Sequence, residues 1–224
     1  MAALILVDVQ HDFLPGGALA VPHGDDILPV IKHLMQAHDW KAIVASKDWH
    51  PKGHISFASS HLGQEPYTGK RIDADGQEQT LWPDHCTQGT KGAAIPDSLQ
   101  AELDLERYMS KVHTVLKGTV LDTDAYSAFQ CSTPPKPSST SSSASSLLTQ
   151  HLQALGVKKV IITGLATDYC VKATALGALQ DGFETVIVDE ACRGVSGENE
   201  TTWNELREKG ASVVGVQEVG QMVQ

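Results

Sequence analysis

The chain has 224 residues, 41% of them hydrophobic, and carries a net charge of −10 from 17 basic and 27 acidic side chains. That length suits one α/β domain around a single core, and no apolar run is long enough to cross a bilayer. The negative charge repels phosphate backbones and anionic lipid surfaces, so nucleic-acid and membrane partners are excluded from the expectation and a small neutral or cationic ligand is favoured.

The first apolar run, 4–9, reads as a strand; it lacks a basic leader and meets Asp8 too soon for a signal peptide. A helix is predicted over 26–38 and a second strand over 42–46. Residues 47–92 then form a long excursion punctuated by Pro51, Gly53, Pro66, Gly69, Gly76, Pro83 and Gly89. A loop of that length inside a compact domain is normally functional. A helix over 94–99 and a strand over 112–117 follow. The stretch 131–146, with Pro134-Pro135-Lys136-Pro137 and a run of serines, has almost nothing apolar to bury and is predicted to be a flexible surface insertion. Beyond it the pattern gives a helix over 147–155, a strand over 160–163, a helix over 171–181 closed by Gly182, a strand over 185–188, a helix over 201–209 and a strand over 212–216.

Strands alternating with helices are the pattern of βαβ units. The expected architecture is α/β: one three-layer α/β/α domain over 1–224 with a mainly parallel, Rossmann-like sheet of about six strands. The cysteines Cys86, Cys131, Cys170 and Cys192 are widely spaced and form no CxxC pair, which predicts reduced thiols in a reducing compartment. The expected location is therefore cytoplasmic, with nucleus and peroxisome left open; Met222-Val223-Gln224 is no standard peroxisomal signal.

Three polar residues stand at strand ends: Asp8 at the end of the first, Lys117 at the end of the third, and Cys170 just past the fourth. In an open parallel sheet all carboxyl ends share one rim, so these three are predicted to converge. Their chemistry is complementary. Asp8 can take a thiol proton, Lys117 lowers a thiol pKa and holds the carboxylate, and a helix opening at Cys170 adds its dipole in favour of thiolate. Backbone N–H groups around Ala166 to Cys170 are candidates for an oxyanion hole. Singly, a strand-end Asp is a turn cap and a Cys before an apolar helix is a core thiol; the coincidence of three on one rim argues for a site.

The long excursion contains Asp48-Trp49-His50, a carboxylate and an imidazole two apart, which point the same way in extended chain. His85, in Leu81-Trp82-Pro83-Asp84-His85-Cys86, is a candidate third ligand if the loop closes on itself. One carboxylate and two imidazoles with open positions suit one divalent metal ion, Zn²⁺ first, with Fe²⁺ or Mn²⁺ also compatible. Asp48-x-His50 alone is more often a polar turn; His54, His61, Asp84 and Cys86 compete as ligands or support them. A dinucleotide-binding reading of the sheet fails because no GxGxxG follows the first strand.

These segments in their order, Val7-Asp8-Val9-Gln10-His11-Asp12-Phe13, Asp48-Trp49-His50-Pro51 with His54-Ile55-Ser56-Phe57, Leu81 to Cys86, Lys117-Gly118 with Tyr126-Ser127-Ala128-Phe129, and Thr163-Gly164-Leu165-Ala166-Thr167-Asp168-Tyr169-Cys170-Val171, resemble the signatures of nicotinamidases, which are isochorismatase-like cysteine hydrolases. The pattern is most similar to the fungal type. The resemblance implies a triad of Asp8, Lys117 and Cys170, a metal held by Asp48, His50 and His85, a cis peptide at Leu165-Ala166, and an oxyanion hole from the N–H groups of Ala166 and Cys170. It places Phe13, Trp82, Tyr126 and Tyr169 around a pyridine pocket and Asp124 beside metal-bound water. It implies conversion of nicotinamide to nicotinic acid and ammonia through a thioester, in NAD salvage, with pyrazinamide as a further substrate. It leaves a homo-oligomer open. The Ser/Pro-rich run departs from the fungal pattern, and His54 follows Asp48-x-His50 too soon for the additional histidine ligand of some relatives.

Overall fold

The first strand, β1 (Ala2–Val7), is apolar throughout and every residue in it is buried, as a strand covered on both faces requires. The computed structural model describes residues 1–67, 70–72, 78–130 and 146–223. Around β1 the chain adds β2 (Ala42–Asp48), a short antiparallel hairpin of β3 (Lys70–Ile72) and β4 (Glu78–Thr80), then β5 (Val112–Lys117), β6 (Lys159–Leu165), β7 (Glu184–Arg193) and β8 (Ser212–Val214). The main sheet has six strands in the order β5-β2-β1-β6-β7-β8, and every pairing in it is parallel. The chain works outward from β1 in one direction, then returns to the other side of β1 with β6. The boundary between β1 and β6 is therefore the topological switch point, where a crevice opens beyond the carboxyl ends of the strands.

The α-helices among the described residues are α1 (Ile27–Ala37), α2 (Asp97–Leu103), α3 (Glu106–Met109), α4 (Leu147–Ala154), α5 (Lys172–Gln180), α6 (Glu200–Glu208) and α7 (Val219–Met222). Strand side chains alternate between two cores. Leu4, Leu6, Ile43 and Ile161 face Ile31 and Leu34 of α1 and Leu99 of α2. Ala3, Ile5, Val44 and Ile162 face Leu152 of α4, Ala175 of α5 and Trp203 of α6. This is the three-layer α/β/α arrangement with its parallel sheet that the alternation of elements predicts.

The differences are local. Asp8 lies one residue past β1 rather than inside it. The predicted helix 94–99 is displaced to α2, because Pro96 holds the chain extended up to the first turn. β7 runs on past Val188: a register shift between Ile162 and Gly164 lets pairing resume at Gly164 with Cys192. The long excursion does close on itself, through bridges between His50 and Thr87 and between Phe57 and Trp82. The predicted insertion falls outside the described residues over 131–145, as does Cys131; its last residue, Ser146, caps α4 by accepting the Thr149 N–H at 3.1 Å.

Gly164 stands where β6 passes under Asp8. Its φ is +120°, and a Cβ there would lie 2.1 Å from the Val7 carbonyl oxygen and 2.6 Å from the Val7 nitrogen. Those atoms are backbone and cannot swing away. Gly164→Ala is therefore expected to lower stability by about 3 kcal/mol or more, measured by urea unfolding, and to cost activity because β1 and β6 carry the site.

Candidate active site

Lys117 ends β5 directly opposite Asp48 of β2. Its ammonium is 1% exposed and ion-pairs with both Asp48 Oδ1 and Asp8 Oδ2, the latter at 2.8 Å. It also donates to the Ala125 carbonyl at 3.2 Å and reaches Cys170 Sγ at 3.3 Å. Asp8 turns off β1 in the left-handed region, φ +48°. Its N–H bonds to the Ser46 carbonyl at 3.2 Å, and the Ser46 hydroxyl donates to Asp8 Oδ1 at 2.7 Å. Asp8, Asp48 and Cys170 present their polar atoms within 4.8 Å of one another. The three rim residues thus meet around one cation.

Burial governs the protonation of this group. It lifts the Asp8 carboxyl to about 6 against the opposing pull of Lys117. It pushes the Cys170 thiol well above its usual range; Lys117 opposes this, and the nearby Asp8 and Asp48 add to it. Burial also pulls Lys117 down, but Asp48 and Asp8 more than reverse that, so the ammonium is held charged. The expected lowering of the thiol pKa by Lys117 is outweighed by burial, and the net shift is upward. The neighbouring Asp8 is a stronger base than an ordinary carboxylate and is placed to take the proton.

Cys170 does not open α5. β6 ends at Leu165, the Leu165-Ala166 peptide is cis, and residues Thr167–Val171 form a single π-helical turn that feeds into α5. The Ala166 carbonyl accepts the Tyr169 and Val171 N–H groups, both at 3.1 Å, which tightens this turn. Local π turns of this kind recur at functional sites. Ala166 and Cys170, the candidate oxyanion donors, both face the same cavity.

Asp48 also carries the second half of the site. Its Oδ2 lies 3.7 Å from His50 Nε2 and 3.8 Å from His85 Nε2. Each ring is fixed from behind, His50 Nδ1–H donating to the Gly118 carbonyl at 2.9 Å and His85 Nδ1–H to the Pro83 carbonyl at 2.8 Å. Both Nε2 lone pairs then point at the carboxylate, the arrangement that orients histidine as a metal ligand. Three buried donors of these types with their outer partners in place fit a divalent metal ion. His54 stacks on His50 with centroids 4.2 Å apart, and both its ring nitrogens are engaged, by the Ser56 hydroxyl at 2.8 Å and the Thr123 carbonyl at 3.3 Å. It braces His50 and, with His50 and Asp124, forms a second group that could hold an ion. Asp124 lies beside this pair.

Thiol and candidate metal donors open onto one small cavity of about 30 Å³, lined by Phe13, Trp82, Tyr126, Tyr169, Asp48, His85 and Cys170 among others. Trp82 and Tyr169 meet edge to face at 4.9 Å, and Trp82 Nε1–H donates to the Tyr126 hydroxyl at 3.2 Å, so the walls brace one another. Two further wall residues, Leu19 and Val195, had no sequence signal: each is an isolated aliphatic residue in a loop. Gln10 was visible only as part of the D-x-Q spacing. It is fully buried and clamps the Asp48 backbone from both sides, accepting the Asp48 N–H at 2.8 Å and donating to the Asp48 carbonyl at 2.8 Å and the Ala93 carbonyl at 3.1 Å.

A parallel sheet with a thiol, a carboxylate and an ammonium gathered at its switch point defines a class of hydrolases, and residues 2–218 match the isochorismatase domain. The chain is 42% identical to the nicotinamidase of Escherichia coli over 87% of its own length and 84% of that protein's. The crystal structure of the yeast nicotinamidase bound to the inhibitor nicotinaldehyde superposes with a TM-score of 0.83 at 32% identity, covering 96% of this chain and 100% of that one. The zinc complex of the Pyrococcus horikoshii pyrazinamidase gives 0.69 at 35% identity, over 96% and 98%. The chain belongs to the isochorismatase family, as an amide hydrolase of its nicotinamidase branch.

The Gln10 clamp makes a testable demand on the metal donors. Gln10→Leu removes three hydrogen bonds behind Asp48 with little change in volume. Metal affinity, read by chelator competition and elemental analysis, is expected to fall roughly 10- to 100-fold, as for other losses of support behind a ligand.

Proposed function

We propose that the chain deamidates nicotinamide to nicotinic acid and ammonia, with Cys170 as nucleophile, Asp8 as the acid and base, and Lys117 as the charge that holds them together. The observation that carries this reading is the shared cavity: Cys170, Asp48 and His85 line one aromatic-walled space. Asp48, His50 and His85 would hold the divalent ion, with zinc favoured by the donor set and by the likeness to a zinc-bound relative. When bound, such an ion supplies a Lewis-acidic grip on a pyridine nitrogen.

With the ring flanked by Phe13, Trp82, Tyr126 and Tyr169, the carboxamide carbon is presented to Cys170 Sγ. As sulfur attacks, Asp8 takes the thiol proton and the carbonyl oxygen becomes an oxyanion, received by the Ala166 and Cys170 N–H groups. Asp8 then delivers the proton to the departing nitrogen, the C–N bond breaks, and ammonia leaves a nicotinoyl thioester. A water molecule gives its proton to Asp8 and attacks the thioester. The C–S bond breaks, nicotinic acid is released, and Asp8 returns the proton to sulfur. Lys117 stays charged throughout and keeps the Asp8 oxygen beside the thiol. Pyrazinamide, a similar ring with the same carboxamide, fits the same sequence of steps. On this reading the reaction serves NAD salvage, and the compartment favoured is the cytoplasm. Among the described residues no helix is long and apolar enough to cross a membrane.

Ammonia release from nicotinamide, with elemental analysis of the same sample, tests the proposal. Cys170→Ala is expected to reduce turnover by roughly 10³-fold or more while metal content is unchanged. Turnover retained in that variant would remove Cys170 from the nucleophile role. Exhaustive dialysis against a chelator is expected to lower kcat/KM for nicotinamide, with recovery on adding zinc.

A further inference from the structure

The segment 194–199 between β7 and α6 brings Val195 to the wall of the substrate cavity, where it also packs on the core. Internal bonds shape this loop: Gly197 N–H to the Gly194 carbonyl at 3.1 Å and the Ser196 hydroxyl to the Glu198 carbonyl at 3.0 Å. They do not dock it. Docking comes from Asp168, two residues before the nucleophile. Asp168 Oδ1 accepts the Val195 N–H and Oδ2 the Ser196 N–H, both at 2.9 Å. One ionised carboxylate thus holds two consecutive backbone donors, a charge-assisted pair stronger than neutral bonds. The approach is close. A Cβ on Gly194 would meet Asn199 Oδ1 at 3.2 Å, Asp168 Oδ1 at 3.3 Å and Thr167 Cβ at 3.4 Å.

We propose that Asp168 is a positioning residue for substrate selection: it latches the 194–199 loop to the nucleophile turn and thereby fixes Val195 as a wall of the ring pocket. Asp168 is not among the residues lining the cavity and takes no part in the proton transfers. Its effect passes through Val195. The choice of substrates in the test rests on the nicotinamide reading; the latch itself does not.

The experiment compares the full chain with Asp168→Ala, Asp168→Asn, Val195→Ala and the Asp168→Ala/Val195→Ala double variant. Hydrogen exchange over 193–199 reads the latch directly, and the rate of Cys170 alkylation by iodoacetamide, followed by peptide mass analysis, reads access to the pocket. Asp168→Ala is expected to lose amide protection at 195 and 196 and to alkylate faster. The KM for nicotinamide should rise roughly tenfold with kcat within about threefold, and ring-methylated nicotinamides should gain relative to nicotinamide. Asp168→Asn offers one acceptor and turns an NH₂ on the other N–H, so it should lie between. Val195→Ala should reproduce the change in selectivity, and the double variant should add little to it. Unchanged exchange, equal loss of kcat on every amide with KM unaltered, or full additivity would overturn the proposal. A wild-type chain that released no ammonia from nicotinamide would count against the proposed function instead, and exchange and alkylation would still decide the latch. If Asp168→Ala fails to fold, Asp168→Asn carries the same comparison with Val195→Ala.

Discussion

A lysine ammonium in a dry interior must be paired, or burying it costs several kcal/mol. Lys117 meets that demand with two carboxylates, Asp8 and Asp48, each itself too buried to stand alone. The three groups sum to one negative charge, which makes the site attractive to a cation without leaving any member unpaired. Asp48 is the shared member: one oxygen belongs to the lysine, the other faces His50 and His85. Acid–base chemistry and metal holding are thus coupled through a single side chain, and neither half can shift without disturbing the other.

Much of the surrounding structure serves to keep those charges in register. β2 and β5 pair so that Asp48 and Lys117 are direct neighbours. Gln10 fixes the Asp48 main chain, while Ser46 orients the Asp8 carboxylate. The left-handed turn at Asp8 brings its side chain over the rim at the point where β1 gives way to β6. Gly164, without a side chain, lets β6 run close against the Val7 backbone at the end of β1.

The strand-end logic made Asp8, Lys117 and Cys170 legible from sequence because a parallel sheet brings all carboxyl ends to one edge, whatever the intervening chain does. Asp48 and His50 were legible through two-residue spacing in extended backbone, and the aromatic walls through the order of motifs. The direction in which the site moves the thiol pKa was not. A sequence shows that a cation is present, but the depth of burial decides whether the cation or desolvation wins, and here desolvation wins at Cys170. Gln10 escaped a role because its partners are backbone atoms 38 and 83 positions away, which no side-chain pattern reveals. Leu19 and Val195 escaped for the same reason: a wall residue in a loop is defined only by where the loop docks.

That docking explains why so short a segment does so much. The turn from Leu165 to Val171 ends the switch-point strand, carries the thiol, offers the candidate oxyanion donors and, through Asp168, anchors the loop that bears Val195. The positions of the thiol and of the wall are therefore set by one piece of backbone. Such economy narrows the ways specificity can change. Alterations that shift the backbone of the turn move Cys170 along with the wall, whereas alterations at the Asp168 latch or in the 194–199 loop move the wall alone. The loop is therefore where a new ring substituent can be admitted without disturbing the alignment of Cys170 with Asp8 and Lys117.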